Sequence, residues 1–251
     1  MKLTVLGSGV PLSSAERACS GYLIESQGQH IVVDLGTGAF KNLETVIHPK
    51  EISAIFISHF DHFDHVADLV GFIGNRRLFC RVNPNEAKQL NIFGPTGIET
   101  FVKKILELFP GFAELNFPVW AEEMKYSAKK FFGFTIKSKP VKHSRDSIGF
   151  RIEAEGKILA YSGDTEMCDE IVDLGQNSDL LVLECTFPGT AKHEGHLNPA
   201  ECGEIAKKAN AKRLLLTHFD PTAEDADLIP LAAKNFSGEI ILARDLLEID
   251  I

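Results

Sequence analysis

Ala54-Ile55-Phe56-Ile57-Ser58-His59-Phe60-Asp61-His62-Phe63-Asp64-His65 is the stretch that decides the fold. Its first part, Ala54–Ser58, is a short apolar run, the pattern of a strand buried on both faces. The chain then switches at once to imidazoles and carboxylates. Three of the nine histidines fall within seven residues, with two aspartates between them. A polar loop at the carboxyl end of a buried strand is where α/β folds place their ligands. Imidazole and carboxylate are ligands that zinc, iron and manganese accept. A stabilising turn needs only one or two such residues. Five in one loop exceed what a single tetrahedral ion takes, which points to two ions.

The same order, strand and then ligand, recurs along the chain. His218 closes the run Arg213–Thr217, His143 follows Lys139-Pro140-Val141-Lys142, and Asp164 ends Tyr161-Ser162-Gly163-Asp164. Taken together, these put metal-type ligands on four strand-end loops of what could be one rim. The periodicity predicts further strands at Lys2–Leu6, Gly21–Glu25, Ile31–Asp34, Phe131–Ser138, Gly149–Glu153, Lys157–Ser162, Leu180–Glu184 and Glu239–Leu242. Helices are expected at Phe40–Ile47, His65–Phe72, Gly97–Phe109 and Pro199–Ala209, and near Asp227–Phe236. Asn198 is placed to cap the fourth of these and Pro199 to open it. Two strand sets, each followed by helices, suit two sheets packed face to face with helices outside. The phenylalanines near the His/Asp loop (Phe60, Phe63, Phe72 and Phe219) are either pocket wall or core.

Of the 251 residues, 44% are apolar, enough to bury a sizeable core, and residues 1–251 are expected to form a single domain. No apolar run approaches the roughly 18 residues that span a bilayer. Met1–Gly7 has the pattern of a strand and lacks that of a signal peptide. The expectation is a cytoplasmic protein with no membrane partner. Five scattered cysteines without a Cys-x-x-Cys pair argue against a disulfide framework or a thiolate zinc site. A net charge of −9 repels polyanions at long range, which weighs against an extended nucleic-acid substrate.

In order and spacing, these motifs resemble the metallo-β-lactamase superfamily, in particular its ribonuclease Z-like branch. The resemblance runs through Leu6-Gly7-Ser8-Gly9 with Arg17 and Ser20, then Val33-Asp34-Leu35-Gly36-Thr37-Gly38, and then the His/Asp loop. It continues with His143, Ser147-Ile148-Gly149-Phe150, Ser162-Gly163-Asp164-Thr165, Gly195-His196-Leu197-Asn198-Pro199 and Leu216-Thr217-His218-Phe219. It implies a four-layer αβ/βα sandwich of two mixed β-sheets, with a dinuclear metal site at one edge. His59, His62 and His143 would hold one divalent ion, Asp64, His65 and His218 a second, and Asp164 both. Zinc is the expected metal, with manganese or iron as alternatives. Asp64 would also orient the nucleophile, and His196 would contact phosphoryl oxygens or aid the leaving group.

The loop departs from the family pattern His-x-His-x-Asp-His by one extra residue. A bulge would let His59 and His62 both reach one ion. Alternatively Asp61 takes the place of His62, or one metal site is weakened. The bulge is favoured. The activity implied is phosphodiester hydrolysis on a small phosphodiester or a short nucleic acid. No long basic arm of the kind that grips transfer RNA is visible. The same site would suit carboxylic ester, lactone or thioester hydrolysis, and a non-catalytic metal-binding module is the remaining alternative. A homodimer is compatible with the sequence.

Overall fold

The computed structural model describes residues 1–12, 15–124, 126, 128–223 and 227–251. The first half lays down β1 (Lys2–Gly7), β2 (Gly21–Ser26), β3 (Gln29–Leu35), β4 (Ile52–Phe56), β5 (Leu90–Gly94) and β6 (Val119–Glu123). The second half lays down β7 (Ala128–Phe131), β8 (Phe134–Pro140), β9 (Ile148–Ala154), β10 (Lys157–Tyr161), β11 (Leu180–Glu184), β12 (Arg213–Thr217) and β13 (Glu239–Leu242). Each half forms its own sheet in sequence order. Each begins antiparallel, β1 to β3 and β7 to β10, and continues parallel, β3 to β6 and β10 to β13. The last strand, β14 (Glu248–Asp250), crosses back to pair antiparallel with β1, so both sheets have seven strands.

The parallel connections are helical, as crossovers require. The helices are α1 (Ala39–Val46), α2 (Leu69–Val82), α3 (Ile98–Leu108), α4 (Asp169–Leu174), α5 (Pro199–Lys208) and α6 (Leu228–Ala233). Side chains alternate across a strand, so a strand covered on both faces is apolar at every position. In β3, Ile31 and Val33 enter the cluster between the sheets, while Val32 enters the one beneath the first set of helices. Asn198 caps α5 as expected: its side chain accepts from Glu201 N, and the Glu201 carboxylate accepts from Asn198 N.

The structure corrects several expected boundaries. The stretch Phe131–Ser138 is two strands, because Phe132 (φ 42°) and Gly133 (φ 86°) both take the left-handed conformation that closes a tight hairpin. The helix expected at His65–Phe72 begins later, at Leu69, preceded by one 3-10 turn over Phe63–His65. Strands β5, β6 and β14 and helix α4 were not anticipated; each is short, and β6 lacks fully buried side chains.

Both sheets end their parallel strands on the same edge, and close backbone approach packs that edge. Gly36 follows β3, and a Cβ built on it would lie 1.8 Å from the Asp64 carbonyl oxygen. The His/Asp loop can therefore rest on β3 only because residue 36 has no side chain. Gly36→Ala is expected to destabilise the protein by about 1–3 kcal/mol and to shift the denaturant midpoint downward. A midpoint equal to wild type would show that the loop yields without cost.

Candidate metal centre

The site is assembled from loops that follow β4, β8, β10, β11 and β12. His59, Asp64 and His65 come from the loop after β4, His143 from that after β8, Asp164 from that after β10 and His218 from that after β12. All of these except His143, which is partly covered, are buried. His59, His62 and His143 bring ligand atoms within 4.8 Å of one another, and so do Asp64, His65, Asp164 and His218. Two further groups meet the same distance, His143 with Asp164 and His196, and Glu184 with His196 and His218, and Asp164 is also close to His59.

Each ring is oriented from behind, which determines what it presents in front. His65 Nδ1 lies 2.7 Å from Asp34 Oδ2, and His143 Nδ1 lies 2.9 Å from the Gly195 carbonyl oxygen. Both partners only accept, so Nδ1 carries the proton. The Ser58 hydroxyl donates to Asp34 and so accepts from His59 Nδ1 at 3.1 Å. The Thr186 hydroxyl donates to Glu184 and so accepts from His218 Nδ1 at 2.9 Å. In all four imidazoles the Nε2 atom is left facing the centre.

What these atoms face are carboxylate oxygens. His65 Nε2 is 3.2 Å from Asp164 Oδ1, and His218 Nε2 is 3.2 Å from Asp64 Oδ2 and 3.5 Å from Asp164 Oδ1. His59 and His143 place theirs 3.8 and 3.9 Å from Asp164 Oδ2. His59 Nε2, His65 Nε2, His143 Nε2, Asp64 Oδ1 and Asp164 Oδ1 are buried without a hydrogen-bond partner. Lone pairs converging on carboxylates in a buried site repel unless cations lie between them. The donor set, nitrogen and carboxylate oxygen, is that of zinc and similar divalent metals. The residues therefore fit two such ions.

Imidazoles and carboxylates in the cluster also shift one another's protonation. Burial opposes charge on His65, but the Asp164 and Asp34 carboxylates outweigh it and hold its pKa well above the ordinary value. Burial works against ionised Asp164 too, yet the imidazoles of His218, His65 and His59 pull its pKa well below the usual carboxylate range. His59, with burial and the other imidazoles against it, is held well below the usual imidazole range.

The extra residue in the loop is taken up by a bend through Phe60–His62. His62 turns toward His59 and His143, with ring centroids 5.9 and 5.4 Å away. Asp61 turns outward, where its Oδ1 accepts from the Ser144 hydroxyl at 3.0 Å.

His196 stands beside the cluster, its ring centroid 5.0 Å from that of His143. Its Nδ1 is 2.9 Å from Glu184 Oε1 and 3.2 Å from the Thr186 hydroxyl. Burial disfavours the imidazolium, but the Glu184 carboxylate overcomes it and raises the pKa. Glu184, Thr186, Asp34 and Tyr161 are the residues that sequence reasoning missed as parts of the site. The Leu180–Glu184 strand ends in a carboxylate after an apolar run, the same signal that singled out His218.

A sandwich of two mixed sheets with a His/Asp centre on one edge defines a class of metal-dependent proteins. Residues 29–219 match the family model described as a beta-lactamase superfamily domain, and the chain belongs to the metallo-β-lactamase superfamily. The chain is 29% identical over 252 residues to the probable metallo-hydrolase YhfI of Bacillus subtilis, covering 97% of each chain. Against the solved YhfI structure the TM-score is 0.88, with 99% of this chain and 98% of that one covered at 27% identity. The human tRNase Z short form superimposes with a TM-score of 0.79 at 26% identity, covering 100% and 99% of the two chains. A ribonuclease Z of Mycobacterium bovis is 28% identical over 280 residues, covering 100% of this chain and 98% of its own.

The loop geometry separates two variants. His62→Ala is expected to lower metal content by about one ion per chain, whereas Asp61→Ala should keep the wild-type content. Elemental analysis of both purified proteins checks this, and the reverse order would place Asp61 at the metal.

Proposed function

We propose that this protein, acting as one domain over residues 1–251, hydrolyses small phosphodiesters at a centre of two divalent ions. The observation that carries the reading is the buried convergence of imidazole Nε2 atoms on Asp64 and Asp164, with His196 paired to Glu184 beside them. His59, His62 and His143 would hold one ion, and Asp64, His65 and His218 the other, with Asp164 between them. Bound there, two ions supply Lewis acidity, a nucleophilic water and a clamp on attacking and leaving oxygens.

The chain's own groups do the rest. Asp34, Ser58, Gly195 and Thr186 hold the ligand rings in one tautomer, the usual role of partners behind a metal-binding histidine. Asp64 keeps Oδ1 buried and without a hydrogen-bond partner, placed to orient the attacking water. His196, its pKa raised by the Glu184 carboxylate against the effect of burial, offers its other nitrogen to phosphoryl oxygens or to the departing alkoxide.

The scale of the site supports a small substrate. The cleft over the metal cluster has a volume of about 190 Å³ and is bounded by Val10, Pro11, Leu12 and Phe187 as well as by the ligands. Among the described residues, no lysine or arginine lines it. The relatives named ribonuclease Z support phosphodiester chemistry, while the cleft and the acidic chain favour a short substrate over transfer RNA. Zinc is the metal we favour from the histidine-rich donor set.

Purified without chelator, the protein should carry close to two Zn, Mn or Fe ions and hydrolyse bis(p-nitrophenyl) phosphate, losing activity on chelation. Full metal content with ester or thioester hydrolysis alone would overturn the phosphodiesterase reading, and metal without any hydrolysis would favour a binding module. His196→Ala should lower turnover by about 10²–10³-fold with both metals retained. Loss of metal in that variant would make His196 a ligand.

A further inference from the structure

A second and larger hollow adjoins the metal cleft. Its volume is about 460 Å³, within the range of about 300–1,000 Å³ typical of small-molecule pockets. It lies between the His/Asp loop, α2 and α3, and its walls are Phe60, Phe63, Val66, Val70, Phe101 and Ile105. Pro11 and His62 line both this hollow and the metal cleft, so the two meet at a proposed metal ligand. Phe60 stacks on Phe101 with centroids 4.7 Å apart and planes 22° from parallel. That contact needs Gly97 (φ 93°) at the start of α3, where a Cβ would come within 3.3 Å of the Phe60 ring. Phe63, on the rim, leaves 56% of its surface exposed next to the site. Phe72 and Phe219, by contrast, are fully core.

We infer that this hollow holds an aromatic, uncharged substituent of the phosphodiester; the inference rests on the phosphodiesterase reading and gives its substrate class. Among the described residues, Asp61 and His62 are the only titratable groups in the lining, no lysine or arginine is placed there to meet a second phosphate, and Asp61 would repel one. An extended nucleic-acid strand, with a phosphate at every nucleotide, therefore does not run through it. A single flat ring buries its faces against Phe60, Phe101 and the aliphatic wall, and covers the exposed Phe63 edge. Because His62 belongs to both spaces, a ring seated there places the attached phosphorus at the metal centre, where binding energy becomes orientation.

Calorimetric titration of the metal-loaded protein with phenylphosphonate and methylphosphonate tests this. The phenyl compound should bind at least about ten-fold more tightly. In Val70→Trp, which fills the hollow from α2, the ratio should fall to near one. Phe63→Ser, at a position more than half exposed, should reduce it partway. A wild-type ratio below about two, or a ratio unchanged in Val70→Trp, overturns the proposal. So does concentration-dependent self-association that Phe63→Ser abolishes, because a second copy of the chain would then cover the hollow. Hydrolysis of bis(p-nitrophenyl) phosphate in the same samples separates the two readings. A phenyl preference without hydrolysis supports the aromatic hollow and removes the phosphodiesterase reading. Hydrolysis without a preference does the opposite.

Discussion

The Asp34 carboxylate is the point on which the site depends. It is fully buried, and its backbone sits in the left-handed region at φ 54°. Aspartate tolerates that conformation better than most residues, and strain of this kind persists only where the surroundings fix it. Here four donors do so: Ser58 N at 2.7 Å to one oxygen, and the Ser58 hydroxyl, Tyr161 hydroxyl and His65 Nδ1 at 2.7, 2.8 and 2.7 Å to the other. Removing a carboxylate from water costs several kcal/mol, roughly, unless its lone pairs are used in this way. The donors come from the sides of both sheets, since Tyr161 ends β10 while Asp34 lies in β3 and Ser58 follows β4. One group thus fixes the spacing of the layers at their working edge and sets the tautomer of a central imidazole.

A second buried carboxylate has the matching role on the other side. Glu184 ends β11 and accepts from Thr165 N, Thr186 N, the Thr186 hydroxyl and His196 Nδ1. Thr186 passes the constraint on to His218. Asp34 meets His65 directly and Glu184 meets His196 directly, so neither ring can turn without taking a donor from a buried anion, while His218 is held through Thr186. His218 itself takes φ 59°, a further strained residue that this network holds in place.

The part of this arrangement legible in the sequence was the part that repeats a local signal. A buried strand running into His or Asp marks His59, Asp164 and His218 without knowledge of topology. Asp34 lay inside a string of matching residues, but its role depends on Tyr161, 127 positions away, which no local pattern connects to it. Glu184 was hidden for the same reason: its value comes from β11 lying between β10 and β12. Side-chain alternation showed that His59 and His62 need a bend between them. What it does not reveal is the partner of the outward-turned Asp61, the Ser144 hydroxyl, which lies in a distant loop. Three of the four missed elements fail the pattern test physically, while β5 carries a buried apolar run that the sequence reading passed over. Strand β6 packs no side chain deeply, β14 has only three residues, and a six-residue α4 is shorter than two turns.

The return of β14 to β1 has a consequence for how the chain reaches this state. Thr4 pairs with Glu248, and Lys2 reaches the same glutamate across 246 positions of sequence. Until residues 248–250 arrive, β1 is an open edge with unpaired N–H and C=O groups, the kind of template on which chains aggregate. Contacts so far apart in sequence raise contact order and slow folding. The border of the first sheet is thus closed by one of its most distant contacts in sequence, and a variant that weakens the β1–β14 pairing would leave that edge open to pairing with other chains.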